Sequence, residues 1–294
     1  MLNNEPKIGL VTVLYNSIEV LEDFFQSLAK QSYKNFILYV IDNSPNDDVI
    51  NEAMRLSNKL NINSIFINNN ANLGVAKGNN QGIQESLKND CDYVLLLNND
   101  IEFGENTLKD LVEYTVTNDE SIIVPKIHYH NTNKIWTAGG HISKLKGTTP
   151  HRGDLEVDIG QYENIEEINY APTCFMLLDK KVFEKVGLMD EKYFVYYDDS
   201  DFLYRSNKLG FKIVYFPKAV VGHKVSVSTG GSESLFFIYY VTRNRIYFIR
   251  KNLPFIYKLI SLPYFFLTRM VKYKSYNQEQ RKTLIKAIKD SFKM

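Results

Sequence analysis

Three carboxylates fall within four residues at Asp198, Asp199 and Asp201, just ahead of an apolar segment through Phe202 and Leu203. Acidic residues in a first helical turn favour the helix dipole, but three are more than one cap needs. Like charges crowded together keep one carboxyl pKa raised, which is the condition for a general base. A second polar cluster, Asn98-Asn99-Asp100, ends the apolar run Tyr93 to Leu97. A carboxylate such as Asp100 is an oxygen donor suited to a hard divalent cation, although Asn and Asp are also ordinary turn residues. Asp42-Asn43-Ser44 ends the run Phe36 to Ile41 in the same way. Between them, Asn72, Gly74, Gly78 and Asn79 lead into a helical pattern through Ile83 and Leu87. Glycines and amides at a helix start suit the approach of a phosphate or a base, and they also serve as plain helix-start residues. Their spacing is neither the dinucleotide fingerprint nor a P-loop. His223 stands just past Val220-Val221-Gly222, and a lone histidine is usually not a ligand.

The elements that must hold these groups read as alternating strands and helices. Ile8 to Tyr15, with Thr12 and Asn16 near its end, is an apolar β-rich run, and Val20, Leu21, Phe24, Phe25 and Leu28 then recur at helical spacing. Phe36 to Ile41 is followed by a helical pattern through Ile50, Met54 and Leu60, and Ser64 to Ile67 by the helix through Ile83. Val94 to Leu97 lacks alternation, as a central strand covered on both faces should. Such βα units imply a mostly parallel sheet whose strand ends meet at one edge. Past a helix over Asn106 to Val116 the pattern loosens into irregular strands and loops up to Gly153. This stretch holds the only tryptophan, Trp136, which suits either a sugar-facing surface or the core. Phe175 to Leu178 reads as strand, Lys180 to Val186 as helix and Tyr193 to Tyr197 as β-like. A helix through Phe202, Leu203 and Leu209 is closed by Gly210, and Lys212 to Phe216 is another strand.

Net charge is +1, but it is divided unevenly. Arg243 to Met294 carries 13 Lys and Arg against two acidic residues, a charge of +11, leaving −10 on the remainder. A basic, aromatic tail points to an anionic partner surface, phospholipid or nucleic acid. Lys282, Lys286, Lys289 and Lys293 with Leu284, Ile285, Ile288 and Phe292 sketch a basic amphipathic helix there. Lys258 and Pro263 interrupt the one long apolar stretch, so no membrane span is expected. Two unpaired cysteines, Cys91 and Cys174, and a polar start at Met1 to Lys7 point to a reducing, cytosolic setting.

As a set, these motifs resemble the family 2 glycosyltransferases of GT-A fold, in particular the bacterial rhamnosyltransferase-like cell-envelope branch. The resemblance runs from about Ile8 to Lys251. It rests on Val11-Thr12-Val13-Leu14-Tyr15-Asn16, Ile41-Asp42-Asn43-Ser44, Asn72-Leu73-Gly74 with Gly78-Asn79, and Leu97-Asn98-Asn99-Asp100. It continues through Trp136 to Gly140, His151-Arg152-Gly153, Tyr196 to Phe202, His223-Lys224-Val225-Ser226 and Thr242-Arg243-Asn244-Arg245. Two departures are Thr173, where the branch usually has glycine, and Asp198, where glutamate is common. The resemblance implies a GT-A α/β fold, a Rossmann-like sheet with helices on both faces and a helical tail. The chain would divide into a nucleotide-sugar half (1–100), an acceptor half (101–231) and a basic aromatic region (232–294).

By the same resemblance, Asp42 is the base-contacting acid, and Asn98 and Asn99 fill the variable part of a DxD-like motif. Asp100 and His223 hold a Mg or Mn ion, and Asp199 is the catalytic base among its neighbours Asp198 and Asp201. Thr12, Asn16, Asn72, Gly74, Gly78 and Asn79 belong to the nucleotide side. The implied activity is inverting transfer of a sugar, rhamnose foremost, from a dTDP or UDP donor to a lipid-linked or polysaccharide acceptor. The expected location is the inner face of the plasma membrane, reached through the tail, with no nucleic acid involved. A hexosyl- or galactofuranosyltransferase of this fold, or an inactive nucleotide-sugar binder, are the alternatives.

Overall fold

The computed structural model describes residues 5–225 and 233–294. Ser226 of the histidine motif and the expected boundary at 231/232 lie outside them. The first half runs β1 (Ile8–Leu14), α1 (Ile18–Ala29), β2 (Phe36–Asp42), α2 (Asp48–Lys59), β3 (Ser64–Asn68), α3 (Val75–Lys88) and β4 (Tyr93–Leu97). Next come β5 (Ile101–Phe103), α4 (Thr107–Asn118), β6 (Ile122–Tyr129), β7 (Ile135–Thr137), β8 (Glu166–Ile168) and β9 (Phe175–Asp179). The remainder is α5 (Lys180–Val186), a 3₁₀ turn (Glu191–Tyr193), α6 (Asp198–Lys208), β10 (Ile213–His223), α7 (Leu235–Asn252), α8 (Phe255–Ser275) and α9 (Gln278–Ser291).

One sheet carries both halves, in the order β3-β2-β1-β4-β9-β6-β10-β5, with β7 beside β6 and β8 beside β10. The first four strands are parallel, as the βα alternation requires. Beyond β4 the sheet becomes mixed: β9 runs antiparallel to both β4 and β6, while β6 and β10 are parallel. Helices cover both faces. On one side Phe24, Phe25 and Leu28 of α1, Ala53 and Leu56 of α2, and Leu111 of α4 join a single core. On the other, Ala76 and Ile83 of α3, Val182 and Phe183 of α5, and Phe202 and Leu203 of α6 do the same.

Three local expectations fail. Met54 is exposed because the buried stripe of α2 is Val49, Ile50, Ala53 and Leu56, roughly 100° away around the helix. Leu209 is 57% exposed because α6 has already ended and it occupies the cap position. Tyr193 to Tyr197 is not a strand. It closes the 3₁₀ turn and then bends through Phe194, Tyr196 and Tyr197 at φ of 61°, 62° and 68°.

Candidate active site

The carboxyl ends of β1 and β2 fix the first part of the site, since the parallel register sets Leu14 beside Asp42 and Asp42 beside Asn68. Asp42 is fully buried. Its Oδ1 accepts the Ser44 N–H at 2.9 Å, and its Oδ2 has no partner. The Thr12 hydroxyl beside this edge is also buried without a partner. Leaving such groups unsatisfied costs about 1–3 kcal/mol each, which makes both candidates for contact with a ligand. Asn16 is exposed at φ 48°, tied through its N–H to Ser44 Oγ. This edge is braced by amides, of which the sequence analysis named only Asn43. Asn43 donates to the Gly74 carbonyl at 3.0 Å, Asn69 donates to Asn43, and Asn69 and Gln81 bond each other reciprocally.

The start of α3 is built differently from the sequence expectation. The Val75 N–H donates to the Phe194 carbonyl at 2.6 Å, so that carbonyl takes the first donor a phosphate would use. Gly74, at φ 85°, is glycine because a Cβ there would stand 2.5 Å from the same carbonyl oxygen. A Cβ on Gly78 would meet Val13 at 2.8 Å, so Gly78 serves the close packing of α3 on β1. Asn79 is buried with its amide toward Met189 Sδ at 3.8 Å. Asn72 is exposed and its Oδ1 accepts the Gly74 N–H. Of this group, Asn72 and Gly74 shape the rim, while Gly78 and Asn79 face the interior.

The second part of the site forms where β5 pairs with β10, which sets Ile101 opposite His223. That register brings His223 Nε2 to 3.1 Å from Asp100 Oδ1, across 123 residues of sequence. Burial works against charge on His223, but the neighbouring Cys174 sulfur and the Asp100 carboxylate outweigh it and push the imidazole up to about 10. Asn98 is exposed, and Asn99 donates to Ser17 Oγ at 2.5 Å. Among the described residues no three His, Cys, Asp or Glu side chains are grouped so as to hold a metal by themselves. Asp100 and His223, in contact with each other, supply two donor side chains at this edge, and the imidazole would have to give up its proton before it could ligate an ion.

The third part is reached through aromatic rings. Trp136, on β7, lies edge-on to His223 at 4.4 Å between centroids and to His151 at 4.7 Å. It thus belongs to the site while also packing on the core. His151 Nδ1 sits 3.3 Å from the Trp136 carbonyl oxygen. Burial pulls the His151 imidazole below its ordinary value, against the opposing charge of Asp199. Beyond it the buried Tyr170 hydroxyl donates to Asp199 Oδ2 at 3.0 Å, while Asp199 Oδ1 accepts the Ser200 N–H at 2.6 Å. A cleft of 490 Å³ opens here, lined by His151, Arg152, Glu166 and Asn169.

The three carboxylates of α6 have separate fates. Asp198 is buried, and burial together with the charge of Asp199 raises its pKa. Burial also raises Asp199, but hydrogen bonds from Tyr170 and Ser200 act the other way and favour its ionised form. Both carboxyls are thus pushed up, Asp198 to about 8, and the bonds from Tyr170 and Ser200 limit the rise at Asp199. Asp201 points elsewhere and is fully buried. Its Oδ2 accepts from Arg205 Nε at 2.8 Å, and its Oδ1 takes Asn252 at 2.7 Å and Lys251 at 2.8 Å. Asp201 ties α6 to α7 and has no oxygen left over for a substrate.

α6 begins after the bend at Phe194, Tyr196 and Tyr197, and left-handed backbone at such residues costs about 1–3 kcal/mol each. The offset comes from α7. Asn244 Nδ2 lies 2.8–2.9 Å from the carbonyl oxygens of Tyr193, Val195 and Tyr196, and Arg243 donates to that of Lys192. The ring of Phe194 stacks on Tyr240 at 5.0 Å. Asn244 is a site-building residue whose role the sequence reading did not identify, and its only visible signal was the motif Thr242 to Arg245.

A family model described as glycosyl transferase family 2 matches residues 10–187. The chain is similar to the low-salt glycan biosynthesis hexosyltransferase Agl10 of Haloferax volcanii, at 28% identity over 61% of this chain and 58% of that protein. It is also similar to the dTDP-rhamnosyl transferase RfbF of Shigella flexneri, at 26% identity over 62% of this chain and 61% of that one. The chain thus spans about three fifths of the length of these two relatives. Its fold matches the mannosyltransferase PcManGT from Pyrobaculum calidifontis, solved with GDP-Man and Mn2+, with a TM-score of 0.60 at 12% identity over 97% of this chain and 74% of that one. S. aureus TarS 1–349 in complex with UDP gives a TM-score of 0.60 at 17% identity, over 97% of this chain and 80% of that one.

Proposed function

The chain belongs to glycosyl transferase family 2 and has the GT-A fold of its structural neighbours, and from that premise we propose a metal-dependent, inverting transfer of a sugar from a nucleoside diphosphate donor to a glycan acceptor. The observation that carries this reading is the Asp100–His223 pair, joined through the rings of Trp136 and His151 to a carboxylate, Asp199, that takes hydrogen bonds from Tyr170 and Ser200.

Asp42 Oδ2 receives an N–H of the nucleobase, as the imide of uracil or thymine would present it, because a carboxylate oxygen only accepts. Asp100 and His223 hold a Mg or Mn ion which, when bound, stabilises the negative charge of the departing nucleoside diphosphate. In the cleft beside His151, the acceptor hydroxyl gives its proton to Asp199. Tyr170 and Ser200 hold that carboxylate in place, and buried Asp198 stays protonated, so the pair carries one charge. With Asp199 as the base and the cleft's Glu166 tied to Arg152 at 2.7 Å, the reading is a single displacement with inversion.

We assign a rhamnosyl donor first, in line with the branch motifs and with the named activity of the Shigella relative. A hexosyl donor is the second reading, favoured by the name of the Haloferax relative. The acceptor is lipid-linked or polysaccharide, met at the inner face of the plasma membrane through the basic tail. The free thiols Cys91 and Cys174 fit that reducing side. Thermal unfolding with dTDP-rhamnose, UDP- and GDP-sugars, each with and without Mg or Mn, tests this. Stabilisation by one diphosphate sugar only when metal is present supports the reading, and indifference to all of them rejects it.

A further inference from the structure

The amphipathic helix expected to face a membrane, α9, has used part of its apolar side, leaving Ile285 and Phe292 exposed. Leu284 and Ala287 are buried, and Leu284 packs with Ile238 of α7 and Tyr276. The unpartnered apolar face lies one helix earlier. α8 buries only Ser261 and Phe265, whereas Phe255, Ile256, Leu259, Leu267, Met270 and Val271 are 55–74% exposed. At 3.6 residues per turn these six share an arc of about 160° along the full helix.

The charge around that face indicates what covers it. From Arg243 to Gln278 the chain has eight Lys and Arg and no Asp or Glu, with Lys258, Arg269, Lys272 and Lys274 on α8 itself. A second copy meeting this face about a twofold axis would set like charges against each other with no acid to pair them. A lipid surface carrying anionic headgroups accepts both the apolar arc and its basic flanks. No described helix is long and apolar enough to cross a membrane, so α8 would lie along the surface.

We propose that α8 seats the protein in an anionic lipid interface, with the face from Phe255 to Val271 among the acyl chains and α9 adding only electrostatic attraction. This sharpens the membrane contact proposed above and does not depend on the transfer chemistry. The seat is linked to the cleft: Arg245 of α7 donates to the Lys146 carbonyl at 2.6 Å while its guanidinium lies 5.2 Å from the Phe265 ring centroid. From the same turn, Thr149 meets Ser200 at 3.0 Å. A lipid-borne acceptor would thereby be presented to the cleft beside the bilayer rather than away from it.

The test is co-sedimentation of the full chain with phosphatidylcholine vesicles, with and without phosphatidylglycerol. The variant Leu259→Ser/Leu267→Ser/Met270→Ser/Val271→Ser should lose at least about tenfold of its binding to anionic vesicles at low and at high salt. Its unfolding temperature and donor hydrolysis should stay unchanged. Lys282→Glu/Lys286→Glu should weaken only the low-salt binding. Leu267→Trp, read against the single native Trp136, should shift its fluorescence to the blue on adding anionic vesicles. Wild-type binding by the serine variant, with no shift in the tryptophan variant, overturns the proposal. So does a lipid-free dimer that the serine variant splits while vesicle binding stays intact. Donor hydrolysis reports separately on the enzymatic reading, so the two can fail independently.

Discussion

The Tyr170 hydroxyl and the Asp199 carboxylate meet at 3.0 Å, and this bond favours the ionised form of one of two adjacent buried acids. Burial raises Asp199, and the bond from Tyr170 is the first interaction opposing it. Tyr170→Phe removes that donor and little else. The acid limb of the pH–rate profile should move to higher pH, with kcat lowered about tenfold at neutral pH and donor affinity unchanged. A profile that does not move would show that the bond has no part in setting the base.

Asp198 carries a stability cost that depends on pH. Its folded pKa is raised above the unfolded value by burial and by Asp199, so the folded state binds more protons between the two values. Stability therefore falls as pH rises through that window, and Asp198→Asn abolishes the effect because the amide does not ionise. Thermal unfolding of Asp198→Asn should show a gain over wild type at neutral pH that vanishes below about pH 3, where the wild-type acid is protonated in both states.

Asn244 holds the bend before α6 through three carbonyl groups, and Asn244→Ala leaves them without that donor. The expected loss is about 2–3 kcal/mol of stability, together with a fall in kcat larger than that from a comparably destabilising core change such as Ile83→Ala. Comparing the two variants by urea unfolding and by turnover separates misplacement of Asp199 from general loosening.

Much of this was legible from sequence where local physics governs. The runs of β1 to β4 and their polar ends are dictated by burial on both faces, and the acidic start of α6 by composition alone. What escaped depended on contacts between distant segments. Tyr193 to Tyr197 has the aromatic content of a strand, yet Asn244, about fifty residues later, holds it in a left-handed bend. Gly78 looks like a ligand-facing glycine until its missing Cβ is seen to admit Val13. Asp199 and Asp201 are alike in sequence, and only Tyr170 on one side and Arg205, Asn252 and Lys251 on the other tell them apart.

Metal dependence should pass through Asp100. Asp100→Ala should abolish the metal-dependent part of nucleoside diphosphate binding, and His223→Ala should weaken it less, since the imidazole must first lose the proton that Cys174 and Asp100 favour, while the carboxylate and phosphates remain. Calorimetry with and without Mg or Mn reads this directly. Equal affinity under all conditions, in wild type and in both variants, would remove the metal from the account.

The most direct measurement is single-turnover glycosyl transfer by Asp199→Asn, with Asp201→Asn alongside and donor affinity determined for both. Asn keeps the shape of the side chain and removes its basicity. The account predicts that Asp199→Asn binds donor as wild type does but transfers at least about 100-fold more slowly. It also predicts that Asp201→Asn, which breaks a buried ion pair, loses about 3–5 kcal/mol of stability while the protein that remains folded still transfers the sugar. Near-normal transfer by Asp199→Asn, with folded Asp201→Asn inactive, would contradict it.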